Sequence, residues 1–409
     1  RWGHFWSVGA SWRISEEQFM ENTRQWLDNL TLKVSYGVQG NDNLGTYYAW
    51  QGLYDYTWPN ATDAGAFVDK LENRKVTWEK NGNLNAGIEA TMFGGRLGVS
   101  VEYYNRKTRD MLLNSPLPIS TGFTGFNDNV GSLRNQGLEV SLRGTILDKR
   151  DFRWDATLMG SFNRNKVLSL TGGQDVITSG IRVIEVGRPI YTFYLPKTAG
   201  VDPATGKQLY YAYWTQTVND EGALVNTRCD EYITDNVAMA TLSKYYHESR
   251  EPKLFGSIGS TFTILKNIDV SFLTTYSIGG WVYDGLYNGS MYVQYAGNNW
   301  HKNAKRRWQK PGDKTDVPML EVGGSYATTS NSLIDASYFA IKNITVGYTL
   351  PKRWLKKIDI ESLRIYATLD NIAMFNHMDG MDPQYNFTGS VAYSYTPSRV
   401  IAFGIDLNF

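Results

Sequence analysis

Cysteine and histidine are scarce in this chain of 409 residues, which contains one Cys and four His. A single cysteine, Cys229, excludes an internal disulfide framework, and a thiol nucleophile would need a histidine partner nearby. The sequence also contains no Gly-x-Ser-x-Gly, His-Glu-x-x-His, Walker or Cys-x-x-Cys pattern. We therefore expect no catalytic residues, no enzymatic activity and no cofactor.

Neither sign of charge prevails, since 41 lysines and arginines stand against 40 aspartates and glutamates. That balance gives no support to nucleic-acid binding or to an anionic surface as the partner. Long apolar runs are missing too, and no segment approaches the roughly 18 consecutive apolar residues that a transmembrane helix needs. A membrane location stays open, because the strands of a transmembrane barrel are short and only half apolar.

Aromatic residues and glycine are abundant: 13 Trp, 27 Tyr, 17 Phe and 39 Gly. This composition suits strands and turns better than helices. Apolar and polar residues alternate with a period of two in about eleven segments, which predicts strands with two different faces. These segments are residues 6–13, 30–39, 84–92, 96–106, 137–146, 152–163, 255–264, 268–279, 344–350, 363–371 and 399–409.

The lengths of the connections between these segments alternate between short and long. Long structureless loops are uncommon in compact soluble domains, whereas short turns at one end and long loops at the other are typical of outer-membrane barrels. In lipid, strands can span only as a closed barrel, because every backbone amide must be paired. The short connections are 93–95, 147–151, 265–267 and 351–362, and the long ones are about 40–81, 107–133, 164–254, 280–337 and 372–398.

These patterns predict an all-β fold, an antiparallel transmembrane β-barrel segment with short periplasmic turns and long extracellular loops. The apolar face of each strand would meet lipid and the polar face would line the lumen. Charges on the polar face, such as Glu89, Glu102, Glu139 and Arg143, either polarise the channel or pair across neighbouring strands.

Residues 188–214 contain two aromatic runs around the turn-rich sequence DPATG. This arrangement fits either two further barrel strands or a folded extracellular lobe. We favour the lobe, because an odd number of strands suits a chain that starts within a barrel.

Several sequences resemble the C-terminal barrel region of the SusC/RagA-type TonB-dependent outer-membrane transporters. Examples are NVGSLRNQGLEVSLRGTI (129–146), SYFAIKNITVGYTLPK (337–352) and LDNIAMFNHMDGMDPQ (369–384). The resemblance runs over residues 1–409, and its motifs occur in the order of the family. Further examples lie at 5–20, 30–50, 78–113, 306–318 and 397–409.

The resemblance implies a 22-stranded barrel that encloses an N-terminal plug and is energised by TonB. Residues 1–409 would form about 11–13 of its strands, and the plug and the N-terminal strands would precede them. It also implies a SusD-like surface lipoprotein as a hinged lid, a dimer of the transporter–lipoprotein pair, and an integral location in the outer membrane of a Gram-negative bacterium. The cargo would be an oligosaccharide or an oligopeptide.

Two aromatic loops are the candidates for contact with the ligand. Flat aromatic side chains stack on sugar rings or peptide side chains, and a carboxylate adds a hydrogen-bond acceptor. The alternatives are packing within the loop and contact with the lipoprotein lid. The candidates are Trp50, Tyr54, Asp55 and Trp58 in one loop, and Trp281, Tyr283 and Asp284 in the other.

Two other loop sequences have simpler explanations than a binding site. Asp379, Asp382 and Asn386 lie close enough in sequence to hold a calcium ion on a loop, but turn formation by Asp-Gly and Asp-Pro accounts for them. Calcium on the partner lipoprotein is a further alternative. The basic segment HKNAKRRW (301–308) suits contact with an acidic ligand or the lid, or a solvated loop face.

The final segment, RVIAFGIDLNF, alternates as far as its last residue. Its apolar residues, Ile401 to Leu407, would face lipid while Gly404, Asp406 and Asn408 face the lumen. In the family that it resembles, this strand closes the barrel against the first strand, which we expect upstream of Arg1. Phe409 resembles the signal that the barrel-assembly machinery recognises.

Two other classes of protein remain open at this stage. A passive porin or a surface adhesin would use a similar barrel without TonB. A secreted all-β carbohydrate-binding protein would use similar strands in a soluble fold.

Overall fold

The main element of the computed structural model is an antiparallel sheet of eleven strands, each paired with the next one along the chain. The structure describes residues 2–45, 47–48, 50–59, 61–63, 65–170, 175–291, 297, 299–321, 323–324, 326–355, 360–378, 380–384, 388–391 and 395–409. The eleven strands are Trp6–Arg13, Leu27–Asn41, Glu79–Met92, Leu97–Arg109, Ser132–Lys149, Phe152–Ser169, Leu254–Ile264, Ile268–Ile278, Tyr338–Thr349, Ser362–Asn376 and Val400–Asn408.

All eleven predicted strands are present, and several extend beyond the predicted segments at the end that bears the long loops. The strand predicted at 137–146 begins at Ser132, because its first residues pair with the next strand, Asn135 with Asn165 for example. Arg134, Asn135 and Gln136 are polar on both faces, so this extension carries no alternation.

The two faces of the sheet have opposite chemistry. Phe403 and Ile405, on the apolar face of the strand Val400–Asn408, are 80% and 63% exposed. Asp406 lies on the other face, where Arg364 forms ion pairs with Asp406 (3.3 Å) and with Asp269 (2.7 Å). An apolar exposed face and a polar paired face are what a barrel wall between lipid and a lumen requires.

Aromatic rings cluster on the apolar face near the short turns. Trp154 lies opposite Phe262 in the register, with their ring centroids 5.8 Å apart, and Phe272 follows at 6.2 Å from Phe262. At the other end of the wall, Trp6 and Tyr36 are 5.6 Å apart. Two belts of this kind match the interfacial aromatic girdles of transmembrane barrels.

Short turns join the strands at one end of the sheet. Gly94 and Gly95 have φ of 66° and 80°, and Leu265 and Lys266 have φ of 53° and 64°. Positive φ lets a hairpin reverse within two residues and keep the twist of the strands. The connection from Thr349 to Ser362 is longer and contains the helix Lys352–Leu355.

The long loops at the other end carry the remaining sheets. Residues 188–214 lie outside the eleven-stranded sheet, which confirms the extracellular lobe. Phe193, Leu195 and Tyr210 are fully buried there, as in a folded unit and unlike residues of the wall. The lobe consists of Val176–Ser179, Arg182–Glu185, Thr192–Pro196 and Lys244–Ser249 in one sheet, Thr198–Val201, Gln208–Val218 and Leu224–Thr234 in a second, and the helix Val237–Leu242.

The other loops form smaller units at the same end. One sheet combines Trp281–Asp284, Leu333–Asp335 and Ser390–Val391, and two hairpins pair Leu53–Asp55 with Phe67–Lys70 and Leu112–Pro116 with Gly125–Asn129. No helix in the described part of the chain is long and apolar enough to cross a membrane. The remaining helical elements are the α-helix Gly285–Met291 and the 3₁₀ turns Ile14–Glu16, Gln18–Thr23, Ile119–Thr121, Lys302–Arg306 and Ser330–Ser332.

The buried core sits among these loops. One cluster contains Val282, Ala336, Met378 and Met381, and a second contains Phe193, Leu195 and Leu333. Both of these clusters lie where the extracellular loops pack on each other, whereas one face of the wall meets lipid.

Candidate ligand-binding surface

The first aromatic loop displays its rings on a small hairpin. Tyr54 and Trp58 are 59% and 67% exposed, and Trp58 packs edge-on against Phe67 at 6.2 Å. Asp55 uses its carboxylate within the loop, where Oδ1 accepts hydrogen bonds from the Thr57 amide (2.8 Å) and hydroxyl (2.7 Å). These bonds lower the pKa of Asp55, so the loop holds a carboxylate among accessible rings.

Trp50 lies in the same loop and is half-buried. A neighbouring hairpin supports the loop, because Asn73 Nδ2 donates to the Asn127 carbonyl (2.9 Å) and to Asp128 (3.0 Å). The Thr77 amide donates to Asn129 Oδ1 at 2.7 Å. The accessible rings therefore stand on a base that is fixed by hydrogen bonds.

The second group of candidate residues lies on the strand Trp281–Asp284. Trp281 and Tyr283 pack against the core cluster of Phe193, Leu195 and Leu333. Both rings therefore have a structural function in joining the lobe to this loop.

Asp284 is only 3% exposed and directly precedes the helix Gly285–Met291. Its Oδ1 accepts a hydrogen bond from the Tyr287 amide at 2.8 Å, as an N-terminal cap does. Burial raises the pKa of Asp284, and this bond opposes the rise. The structure thus places Asp284 in a cap, away from the accessible surface.

Trp281 also lines a cavity of about 570 Å³, which we call the tryptophan cavity. Its wall includes Arg188, Tyr246 and His247 from the lobe. The Arg188 guanidinium lies 3.7 Å from the centre of the Tyr246 ring and pairs with Glu185 at 2.5 Å. A cation on one aromatic ring beside a second aromatic ring suits stacking contacts with a polar oligomer.

His247 lies on the lobe side of this cavity. Its Nε2 is 3.3 Å from the Leu195 carbonyl, and burial lowers the pKa of the imidazole. A neutral His247 donates this hydrogen bond to the carbonyl. Because His247 is then uncharged, Arg188 supplies the positive charge in the described wall of the cavity. Sequence reasoning missed Arg188, Tyr246 and His247, because the segment KYYHES (244–249) shows no alternation and lies far from Arg188 in the sequence.

The proposed calcium loop is only partly described. Asp382 is 5% exposed, and its Oδ1 accepts bonds from the Gln384 amide (2.8 Å) and Nε2 (3.2 Å), as a turn-forming aspartate does. Asp379 and Asn386 lie outside the described residues. Over the ranges that the structure describes, no group of three His, Cys, Asp or Glu side chains is arranged to hold a metal ion.

The basic segment 301–308 takes part in contacts within the loops. Arg306 pairs with Asp316 at 3.2 Å, and Trp308 Nε1 donates to the Pro203 carbonyl at 2.9 Å. His301 Nδ1 accepts from the Asn303 amide at 3.2 Å and caps the turn Lys302–Arg306. Part of this basic segment therefore has a structural use.

The terminal segment presents a continuous apolar row. Ile401, Phe403, Ile405 and Leu407 are exposed on one face of the last strand, and Phe409 is 86% exposed. The strand pairs with Ser362–Asn376 on one side and forms one edge of the sheet.

The eleven-stranded wall with its lipid-facing aromatic belts, polar lumen face and elaborated loops defines an integral outer-membrane β-barrel. The family model described as "TonB dependent receptor-like, beta-barrel" matches residues 1–372, and the chain belongs to this family. The fold class and the membrane location predicted from the sequence are thereby confirmed.

Relatives within the family agree with the resemblance to the SusC/RagA type. The chain is 28% identical to the TonB-dependent receptor SusC of Bacteroides thetaiotaomicron over 424 residues, which cover 100% of the chain and 40% of SusC. It is 28% identical to the TonB-dependent receptor P26 of Formosa agariphila, covering 98% of the chain and 42% of P26. The chain thus spans about two fifths of the length of these curated relatives.

A solved structure shows the same architecture. The structure of the RagAB peptide transporter superposes with a TM-score of 0.83 at 28% identity, and covers 99% of the chain and 43% of the RagAB chain. A second structure, that of the RagAB peptide importer in its closed-closed state, superposes with a TM-score of 0.81 at 29% identity. The wall and its extracellular loops therefore share the fold of a SusC/RagA-type transporter.

Proposed function

We propose that the protein acts in the active import of a nutrient oligomer across the outer membrane. An oligosaccharide or oligopeptide is captured at the extracellular loops and released through the barrel with energy that TonB supplies. The observation that carries this proposal is the position of the candidate residues. The accessible rings of Tyr54 and Trp58 and the tryptophan cavity all lie at the long-loop end of the wall.

The relatives support import without deciding the cargo. One relative is named SusC and the structural neighbour is titled a peptide transporter, and both are 28% identical to this chain. The aromatic loop suits either ligand, because rings stack on sugar rings and on peptide side chains.

The partners follow from the same proposal. A SusD-like surface lipoprotein closes over the extracellular loops, and the transporter–lipoprotein pair forms a dimer. The barrel-assembly machinery recognises the terminal segment at Phe409. The protein has no catalytic activity and no cofactor of its own.

Purification of the complex from native membranes tests the proposal directly. We expect mass spectrometry to identify a surface lipoprotein in stoichiometric amount together with a bound glycan or peptide. Uptake of that ligand should stop in a strain that lacks TonB. Uptake that continues without TonB would support a passive porin, and a barrel that transports nothing would support an adhesin. Recovery in buffer without detergent would support a secreted protein.

A further inference from the structure

A second cavity, of about 170 Å³, lies among the extracellular loops, and we call it the tyrosine cavity. It is bounded by Gln208 of the lobe, by Tyr287 and Asn288 of the helix Gly285–Met291, and by Tyr326 and Asn331. None of the residues proposed above for ligand contact lines it. The tyrosine cavity is therefore a separate site.

One turn separates this cavity from the tryptophan cavity. Thr329 and Ser332 face the tyrosine cavity, whereas Ser330 and Leu333 face the tryptophan cavity. Hydrogen bonds fix the turn on both sides, from Ser332 Oγ to Asn288 Oδ1 (2.7 Å) and from the Thr198 amide to Ser330 Oγ (3.4 Å). The tyrosine cavity thus has a defined wall.

The amide side chains of the cavity are already oriented. The Asn288 oxygen is used by Ser332, which leaves its NH₂ group to donate. Gln208 Nε2 donates to Thr198 Oγ1 at 2.6 Å, which leaves its oxygen to accept. Asn331 adds an exposed amide, whose side chain makes no hydrogen bond with the described residues. A ligand would find one donor, on Asn288, and one acceptor, on Gln208, in fixed positions, together with the Asn331 amide, which can turn to present either.

An aromatic face completes the site. Tyr287 is held edge-on to His301, with ring centroids 4.9 Å apart, and its hydroxyl accepts a hydrogen bond from Asn303 Nδ2 at 3.2 Å. Both contacts fix the plane of the ring at the wall of the cavity. A fixed tyrosine face accepts the C–H face of a sugar ring at low entropic cost.

The charge of the lining disfavours an anionic ligand. Among the described residues, no lysine, arginine or histidine lines the tyrosine cavity, and Asp316 is the one charged residue in its wall. Asp316 pairs with Arg306 at 3.2 Å, which offsets its charge in part. The volume of about 170 Å³ equals five to six water volumes of roughly 30 Å³ each, enough for a single sugar ring.

We propose that the tyrosine cavity binds one neutral sugar unit, with the ring on Tyr287 and the hydroxyls on Asn288, Gln208 and Asn331. Sugar hydroxyls both donate and accept hydrogen bonds, so they match the NH₂ group of Asn288 as a donor and the oxygen of Gln208 as an acceptor. This sugar site rests on the proposed import function, because it assigns the cargo to the glycans. Binding of the sugar itself requires neither TonB nor transport.

The test uses the detergent-purified full-length transporter complex and measures binding of uncharged methyl glycosides by saturation-transfer NMR. Glucuronic acid and an N-acetylated dipeptide amide serve as the competing ligand classes. We expect binding of a neutral glycoside and at least tenfold weaker binding in the variants Ala327→Leu and Asn331→Ala. Ala327 lines the cavity, so a larger side chain fills it, while Asn331 is an exposed amide whose removal disturbs no described contact.

Asn226→Ala is the matched control, because Asn226 lies on the strand Leu224–Thr234 outside the cavity and is also exposed. Glycoside binding that survives Ala327→Leu, or preferred binding of the uronate or the dipeptide, would overturn the sugar site. Heat-modifiable migration in gels confirms that each variant is folded. TonB-dependent uptake measured in cells distinguishes the two proposals, since an unmodified complex that imports its cargo through TonB but binds no methyl glycoside would reject only the tyrosine cavity.

Discussion

Arg364 reaches Asp269 across an intervening strand, with its Nη2 2.7 Å from Oδ2 of the carboxylate. Gly347 of the strand Tyr338–Thr349 lies beneath this ion pair, and a Cβ there would stand 2.5 Å from both Arg364 Nη2 and Asp269 Oδ1. Nη1 of the same guanidinium pairs with Asp406 at 3.3 Å. One glycine therefore allows a single arginine to join three strands on the lumen face.

Replacement of Gly347 by alanine should displace Arg364 and break its pair with Asp269. We expect a loss on the order of 1 kcal/mol, because the two side chains are 29% exposed and charge-assisted bonds of this kind contribute about that much. The midpoint of thermal unfolding, read from heat-modifiable migration, checks the loss. Gly98→Ala is the control, since its Cβ would meet nothing closer than 3.8 Å. Equal midpoints for both variants would show that the ion pair does not stabilise the wall.

The triple variant Trp50→Ala, Tyr54→Ala and Trp58→Ala should weaken ligand binding and leave barrel assembly intact. The reason is that Tyr54 and Trp58 are accessible, while the hydrogen bonds that tie the base of the loop to the neighbouring hairpin involve Asn73 and Asn129. Affinity of the purified complex for its co-purified ligand is the measurement. Tyr395→Ala, which removes an aromatic ring that is 95% exposed on another loop, is the control. Unchanged affinity in the triple variant would remove this loop from the binding surface.

Trp281→Ala should lower both affinity and lobe stability, whereas Trp281→Phe should lower mainly affinity. Trp281 packs on Phe193, Leu195 and Leu333 and also lines the tryptophan cavity. We expect the alanine variant to cost on the order of 2 kcal/mol, below the cost for a fully buried tryptophan. Limited proteolysis of the lobe reports stability, and ligand titration reports affinity. If both variants bind normally, Trp281 has a structural function alone.

Stability of the lobe should fall as the pH falls below about 6.5, the ordinary value for histidine. Burial lowers the pKa of His247, so the unfolded lobe takes up a proton before the folded lobe does. The contribution of His247 to the stability of the lobe is fully present above the ordinary pKa of histidine. It is lost as the pH falls through the lowered pKa of His247 in the folded lobe. Hydrogen exchange of residues 244–249, corrected for intrinsic rates, should show more opening at about pH 5.5 than at pH 7.5.

His247→Asn supplies the control for this pH dependence. Among the described residues, Lys197 is the charged group that acts on the imidazole, and Arg188 and Glu248 line the same cavity. The variant retains all three but does not titrate in this range. A pH response that persists in His247→Asn would assign it to another group.

Phe409→Ala should reduce the amount of folded protein in the outer membrane if the barrel-assembly machinery reads the terminal aromatic. Phe403→Ala is the matched control, because Phe403 lies on the same apolar face of the same segment and is 80% exposed. Quantification of heat-modifiable barrel in outer-membrane fractions is the measurement. Equal yields for the two variants would contradict a recognition role for Phe409.

The wall could be predicted from the sequence because lipid on one side and a lumen on the other impose a period of two on every strand. The strand Trp6–Arg13 matches its predicted bounds for this reason. Periodicity gave no guide where both faces are polar, as at Arg134 to Gln136, so the strand ends nearest the loops were underestimated.

The loop residues were harder to predict, since their surroundings depend on contacts distant in sequence. Asp284 looked like an accessible acceptor among aromatic residues, yet it caps a helix that begins at the next residue. Arg188 and Tyr246 are 58 positions apart in the chain and meet at 3.7 Å only because Thr192–Pro196 pairs with Lys244–Ser249. The sequence pattern around either residue gives no information about this long-range contact.

The turn Ser330–Ser332 that divides the two cavities ties their volumes together. Thr329 and Ser332 line one cavity and Ser330 and Leu333 line the other, so any displacement of the turn would change both volumes at once. A ligand that displaced the turn from one side would alter the space on the other, and thermodynamic reciprocity would make the two effects on affinity equal. Two ligands would bind independently only while the turn keeps its hydrogen bonds to Asn288 and to the Thr198 amide.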